Sequence, residues 1–374
     1  MRRAGVLTAI LVVGLTVAGV AAQREAGRGQ NAGQGQGRGE GQCRPGGIPP
    51  TGAIRNVRGN LYVIPGQGPN TAVLVAKTGV VLVDTKLASY CDPATNKPVP
   101  NGPAILEQVR KVTDLPVTMI INTHSHPDHN GSNNYFSPTV EVVTHANLQK
   151  RVAANQKTAA LPNMLPDKTF SDRLTLGTGA DRIDLYYFGP GHTDNDAFVV
   201  FPAVRTMHAG DLMAWNMAPL IDPNAGGSVI ALPDTLEKAM KGIPNIDLVI
   251  EGHDEVITWA GFVEFTRFNR ALLDAAKAGL GKRTPEDIAN ELRERFPTQT
   301  KDEILPGVEY GGTARSRAVI NVNVAFQELK GEPVTTNFGP PRGGGAPRGG
   351  GAGRGGEAPR GGGPPPAQPP GPGR

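Results

Sequence analysis

Thr123-His124-Ser125-His126-Pro127-Asp128-His129-Asn130-Gly131 constrains this chain more than any other stretch. The residues before it, Val117-Thr118-Met119-Ile120-Ile121-Asn122, are β-branched and apolar and read as a buried strand. A strand that ends in His-x-His-x-Asp-His puts four metal-binding side chains within six residues. Imidazole and carboxylate together suit Zn²⁺ or Fe, and four such groups crowd one another around a single tetrahedral ion. The spacing therefore points to two neighbouring metals that share the donors. Three of the seven histidines of the chain stand here, which argues against a polar turn with incidental histidines.

The ends of the chain differ in kind from its middle. Met1-Arg2-Arg3, the apolar run Ala4–Val20 and the small residues Ala21-Ala22 before Gln23 read as a secretory signal peptide over residues 1–22, with an uncleaved membrane anchor as the alternative. Residues 23–50 form a Gly/Gln/Arg-rich linker, and residues 336–374 a Gly/Pro/Arg tail in which Arg342, Arg348, Arg354 and Arg360 recur every six residues. Each end carries a net +4, so the +4 of the whole chain leaves −4 for residues 51–338. The basic balance belongs to the ends, and the folded part offers no global electrostatic case for nucleic acid. The tail is expected in solvent, touching at most an anionic envelope surface. In a periplasmic or secreted protein Cys43 and Cys91 form a bridge or remain two free thiols; both readings stand on sequence alone.

Between the ends, turn residues and apolar alternation predict an antiparallel meander: Ile54–Val57, Leu61–Ile64, Thr71–Ala76 and Val80–Asp84. A polar loop, Asp92–Gly102, leads to a helix over Pro103–Val112 and stands where it would border a site. His129–Tyr135 predicts a short helix, with Gly131 allowing close packing; Val140–Thr144 a strand; His145–Ala154 a helix. Phe170–Leu176, Arg182–Tyr187, Ala197–Phe201, Val204–His208 and Ile246–Glu251 predict strands, and Ala231–Lys241 and Trp259–Ala278 helices. Thr284-Pro285-Glu286-Asp287 has the chemistry of a helix start, and Arg315–Leu329 has an apolar stripe. Two face-to-face sheets with helices outside follow from this pattern. Residues 281–335 are expected to be a helical extension that packs on the domain 51–280.

His124-x-His126-x-Asp128-His129 resembles the signature of the metallo-β-lactamase-fold, glyoxalase II-like hydrolase superfamily. Gly189-Pro190-Gly191-His192-Thr193 is similar to its second ligand motif, His208-Ala209-Gly210-Asp211 to its third, and Gly252-His253 to its last. The resemblance implies an α/β fold, the four-layer αββα sandwich, with a short C-terminal helical extension. It implies that His124, His126 and His192 hold one metal, Asp128, His129 and His253 the other, and that Asp211 bridges them. The implied cofactor is two Zn²⁺, with Fe or Mn as alternatives, separated by about 3.5–4 Å and sharing a hydroxide of lowered pKa that attacks the substrate. Asp128 is the implied catalytic residue, orienting that hydroxide and passing on its proton. Asp84 and Thr193 are expected to brace the ligands from behind, with Asp194 and Asp196 as further candidates and an ordinary turn acid as the other reading of Asp84. His145 and His208 read as structural.

The partner is then a small molecule. A bridging Asp, as at Asp211, resembles glyoxalase II and lactonases, whereas the dinuclear lactamases of this fold place Cys or Ser there. The resemblance thus favours a carbonyl ester, thioester or lactone; hydrolysis of β-lactam antibiotics and an iron-dependent sulfur dioxygenase-like reaction are the alternatives. The loop Met213–Gly226, with Trp215, Met217, Leu220 and Ile221, forms either an apolar lip over the metals or a cover for the core.

Overall fold

The computed structural model describes residues 51–66, 68–92, 94–301 and 316–334. The expected signal peptide, the linker with Cys43 and the arginine-rich tail lie outside the described residues. Cys91 is disulfide-bonded. Among the described residues no helix is long and apolar enough to cross a membrane.

The chain opens with the predicted meander, β1 (Arg55–Arg58), β2 (Leu61–Ile64), β3 (Thr71–Ala76) and β4 (Gly79–Val83). A small hairpin of β5 (Ser89–Cys91) and β6 (Pro98–Pro100) follows, then α1 (Asn101–Val109), β7 (Val117–Ile121), the single turn α2 (Pro127–Asn130), β8 (Glu141–His145), α3 (Ala146–Ala154), α4 (Gln156–Ala159) and β9 (Lys168–Phe170). These build a seven-stranded sheet in the order β1-β2-β3-β4-β7-β8-β9, parallel from β4 onward. A second, six-stranded sheet runs β10 (Arg173–Leu176), β11 (Ile183–Tyr186), β12 (Phe198–Phe201), β13 (Thr206–His208), β14 (Leu248–Ile250) and β15 (Val256–Thr258). Its one parallel pair, β13 with β14, is joined through α5 (Leu232–Gly242). The helices α6 (Trp259–Gly279), α7 (Pro285–Arg295) and α8 (Arg317–Lys330) complete the described chain.

Period-two alternation sorts the strands into layers. In β4, Val81 and Val83 face the other sheet, while Val80 and Leu82 face α1. In β12, Val199 and Phe201 enter the space between the sheets, and Phe198 and Val200 pack toward α5 and α6. Two sheets with an apolar layer between them and a helix layer on each outer face make the αββα sandwich. α7 and α8 add Ile288, Leu292, Val319 and Val322 to the helix-side core of the second sheet. Thr284 caps α7 in a reciprocal capping box with Asp287, as the sequence predicts.

Four local expectations need correction. His129–Tyr135 is not one helix: α2 ends at Asn130, and a separate 3₁₀ turn spans Asn133–Tyr135. Phe170–Leu176 is not one strand: β9 and β10 belong to different sheets, and Ser171-Asp172 carries the chain between them. The apolar pattern runs through unbroken because both ends feed the same inter-sheet layer, where Phe170 and Leu176 are both buried. The first helix starts at Asn101, two residues early, since the buried Asn101 side chain donates to the Leu87 carbonyl. Part of the expected loop before it is β6, a short edge strand whose prolines hide it from pattern reading.

The topology collects strand ends. β4 and β7 are parallel, so Asp84 and the His-rich loop leave one edge of the first sheet together. β11 runs opposite to β12, and β12 opposite to β13, so the segments after β11, β13 and β14 all leave one edge of the second sheet. His192, Asp211 and His253 sit in those three segments.

Candidate metal centre

Asp84 closes β4 with a positive φ of +61° and no solvent exposure. Its Oδ1 accepts the Thr123 amide at 2.8 Å, and its Oδ2 accepts the Thr123 hydroxyl at 2.8 Å and His129 Nδ1–H at 2.7 Å. One carboxylate thus fixes both ends of the His-x-His-x-Asp-His loop. Close backbone approach does the rest: a Cβ on Gly252 would stand 1.9 Å from Asp211 Oδ1, so only glycine lets β14 hand over to His253 beside that carboxylate.

Four histidines have one ring nitrogen committed and the other aimed at a common centre. His126 Nε2 meets Asp222 Oδ2 at 2.9 Å, His192 Nδ1 meets the Leu220 carbonyl, and His129 Nδ1 meets Asp84. Carboxylates and carbonyls only accept, so these nitrogens carry the protons and the opposite nitrogens carry lone pairs. His124 Nδ1 has the Thr123 hydroxyl at 3.1 Å. The remaining atoms of the first group converge: His126 Nδ1 lies 3.1 Å from His124 Nε2 and 2.9 Å from His192 Nε2. Three imidazole lone pairs gathered in this way suit a cation.

The second group stands beside the first. His253 Nε2 lies 3.5 Å from Asp128 Oδ2 and 3.4 Å from Asp211 Oδ2, and His129 Nε2 lies 3.3 Å from Asp211 Oδ1. Asp211 Oδ2 is also 3.8 Å from His192 Nε2, so this carboxylate sits between the two sets. His129 Nε2 and Asp211 Oδ1 are buried without a hydrogen-bond partner. Orphaned polar atoms are costly in a protein interior, and a metal is the usual reason for such a pair. Three overlapping donor groups result: His124, His126 and His192; His124, His129 and Asp211; Asp128, His129 and His253. The residues present therefore fit a metal centre.

The imidazoles differ electrostatically, and not by donor group: burial opposes the charged form of His126, but Asp222, Asp128 and Asp211 together overcome it and raise this ring. Burial, reinforced by neighbouring imidazoles, holds His124 well below the usual histidine range and lowers His192 as well, leaving them neutral. Burial is the largest single influence on His129 and His253 too and opposes their charged forms, but the carboxylates beside them together overcome it: Asp211, Asp84 and Asp128 raise His129, and Asp211 with Asp128 lifts His253 to about 9. Against burial, His253 and His129 hold Asp211 well below the ordinary carboxylate range.

A cavity of about 290 Å³ opens on this cluster, and Trp215, Leu220, Ile221 and Asp222 line it beside the candidate ligands. A larger one of about 700 Å³, bordered by α5, α6 and α7, contains none of them. The loop Met213–Gly226 is partly lip and partly core: Trp215, Leu220 and Ile221 reach the cavity, and Met217 packs inward. The loop Asp92–Gly102 contributes nothing to the described lining.

All seven expected ligands come together, and Asp84 braces the loop as expected. Thr193 does not brace a ring: it binds Asp196 through its hydroxyl and amide, while Asp194 pairs with Arg151. The His192 ring is instead held by Leu220 from a loop 28 residues on. His208 packs beneath the site, with Nε2 3.1 Å from the Asn70 carbonyl, and His145 caps α3 and stacks on Tyr187.

Three contributors escaped the sequence reading. Asp222 is the lone acid in an apolar stretch before Pro223, which was its only signal. Lys86 is fully buried; burial pushes it down to about 7, yet its Nζ donates to the Ile64, Gly66 and Pro69 carbonyls at 2.6–2.8 Å, the geometry of an ammonium. It pins the turn whose Gly68 packs on Asp128. Glu251, also buried, is pushed up to about 8 by desolvation and accepts the Asn216 amide at 2.7 Å.

A sequence model of the metallo-beta-lactamase superfamily matches residues 65–253, just over half of the 374 residues. The metallo-beta-lactamase IND-1 of Chryseobacterium indologenes is 26% identical over 196 residues, covering 51% of this chain and 73% of that protein. The type 2 metallo-beta-lactamase of Bacteroides fragilis is 26% identical over 182 residues, covering 49% and 70%. Among solved structures, the stereoselective inverting sec-alkylsulfatase Pisa1 from Pseudomonas sp. superposes with a TM-score of 0.56 at 13% identity, covering 79% of this chain and 52% of that one. This last likeness is one of fold alone.

Two outcomes follow from the geometry. Asp84→Asn presents an amide N–H to His129 Nδ1–H, so the variant is expected to bind zinc about 10–100-fold more weakly while keeping its far-ultraviolet circular dichroism. Chelator competition measures it. Glu251 has a folded pKa of about 8 against an ordinary 4.5, so its contribution is full below pH 4.5 and is lost as pH rises through 8. Urea midpoints from pH 5 to 9 should therefore fall more steeply for the wild type than for Glu251→Gln.

Proposed function

The chain belongs to the metallo-β-lactamase superfamily and is a metal-dependent hydrolase, and from that footing we propose that it is a dinuclear zinc enzyme acting on a neutral carbonyl ester, thioester or lactone. The observation that carries this reading is the placement of Asp211 between two imidazole-rich donor groups, with the proton of each braced ring turned away from the centre. In this reading His124, His126 and His192 would hold one ion and Asp128, His129 and His253 the other, with Asp211, which lies between the two sets, as a shared donor. When bound, two such ions supply Lewis-acid polarisation of the substrate oxygen and a water of lowered pKa.

The side chains have separable tasks. Asp128 is about 30% exposed, the most open of the candidate carboxylates, and faces the cavity. It is the group placed to orient a water and take its proton, whereas Asp211, at 8%, is closed in and serves as a donor. Asp222 and the Leu220 carbonyl hold the His126 and His192 rings.

The cavity favours an uncharged substrate. Its described lining contains Asp128, Asp211 and Asp222 and no Lys or Arg, so apart from the candidate ligand histidines an anionic substrate finds no basic side chain there. Trp215, Leu220 and Ile221 suit an apolar acyl part, and about 290 Å³ suits a small one. The names of the lactamase relatives favour a second reading, β-lactam hydrolysis. Export to the periplasm or medium rests on the sequence of residues 1–22, and N-terminal sequencing of the mature protein is expected to begin at Gln23.

Zinc-loaded protein is expected to turn over esters, thioesters or lactones faster than cephalosporins and to hold about two zinc ions per chain. His126→Ala or Asp211→Ala should lose zinc and turnover together. A panel of these substrates with metal quantification checks both: cephalosporin turnover above every ester selects the lactamase reading, and iron in place of zinc selects the dioxygenase-like one.

A further inference from the structure

Trp215 and Asn216 lie in the loop after β13 with φ of +60° and +45°. For a residue as bulky as Trp this backbone is strained and persists only where neighbours hold it. Glu251 accepts the Asn216 amide at 2.7 Å, the His253 carbonyl accepts the Trp215 amide at 3.2 Å, and Gln299 donates to Asn216 Oδ1 at 3.0 Å. The strained turn lays the indole on the His253 imidazole, with ring centres 4.2 Å apart and planes 12° from parallel.

α8 holds the same loop. The guanidinium of Arg317, the first residue of that helix and buried, lies 4.3 Å from the Trp215 ring centre. Asn321 donates to the Pro219 carbonyl at 2.8 Å. Glu328 accepts the Ser228 hydroxyl at 2.6 Å and the Val229 amide at 2.9 Å. The loop that supplies Trp215, Leu220 and Ile221 to the cavity is therefore tied to one helix near its start, middle and end.

The sequence alone favoured simple packing for this extension. We propose instead that α8 is a working part of the site, in which Arg317 is a positioning residue that acts through Trp215 to fix the His253 imidazole and the apolar cavity wall. A cation over an indole is attracted by the ring's negative face, and a desolvated pair is the strong case. The pairing holds the indole where the backbone strain aims it, and the indole in turn limits rotation of His253. The proposal rests on the reading of His253 as a metal ligand.

The test uses the full chain carrying Trp259→Phe, which leaves Trp215 as the only indole. Arg317→Gln is expected to make Trp215 fluorescence more accessible to acrylamide and to weaken zinc binding about tenfold by chelator competition, the scale of a lost outer-shell partner. Arg317→Lys should recover part of both. In a Trp215→Phe background, Arg317→Gln should add no further zinc loss. Trp215→Phe by itself, which leaves α8 untouched, should reproduce the zinc loss and keeps the test alive if Arg317→Gln does not fold. Wild-type quenching and zinc affinity in Arg317→Gln, wild-type zinc affinity in Trp215→Phe, or an equal Arg317→Gln loss with and without the indole would each overturn the proposal. These readouts need no substrate, so failure of every ester in the panel counts against the proposed reaction and leaves this inference to be decided by zinc and fluorescence.

Discussion

The buried carboxylate of Asp84 is the contact on which the site depends. It ends one strand and receives three hydrogen bonds, two from Thr123 and one from His129. A carboxylate with no solvent exposure is tolerable only when its lone pairs are occupied, and here the occupants are the two ends of one ligand loop. Because β4 and β7 are parallel neighbours, the acceptor and the loop it organises leave the sheet side by side. The loop is shaped by the sheet beneath it more than by its own few residues.

The same logic recurs around the centre with different partners. Asp222 orients His126 and the Leu220 carbonyl orients His192, both from the loop after β13. One side of the site is thus braced by the first sheet and the other by a loop of the second. Burial keeps His124 and His192 low, while carboxylate neighbours raise His126, His129 and His253; by donor set the division is three imidazoles on one side and two imidazoles with Asp128 on the other. A centre built on that divide offers two unequal donor environments within one cavity, one richer in nitrogen and one richer in carboxylate.

The loop Met213–Ser228 connects these pieces to the C-terminal helices. It cannot be an autonomous lid, because Gln299, Asn321 and Glu328 hold its backbone or side chains along its length. α7 and α8 also bury Ile288, Leu292, Val319 and Val322 in the core of the second sheet. Packing and site support are one function of the same helices, so α7 and α8 belong energetically with the sandwich even though the family match ends at residue 253.

The sequence by itself determined the αββα class and the seven side chains that meet at the centre. Local patterns pointed to two face-to-face sheets and to a metal-binding loop at His124–His129, and the resemblance of four short motifs to the superfamily's implied the αββα sandwich and the full set of seven. Asp84 was half legible: the resemblance implied a bracing acid at that strand end, an ordinary turn acid was the other reading, and the parallel pairing of β4 with β7 shows why it reaches the loop. The partners that orient the rings were less so. Thr193, adjacent in sequence to His192, binds Asp196, and the ring is held by Leu220. Asp222, Lys86 and Arg317 carry no motif, since each works through a contact made across the fold at separations of up to 102 residues between Trp215 and Arg317. Only the tertiary structure decided them: a hydrogen bond or ring contact between distant segments depends on how two sheets and a returning helix pack, and no local periodicity encodes that distance.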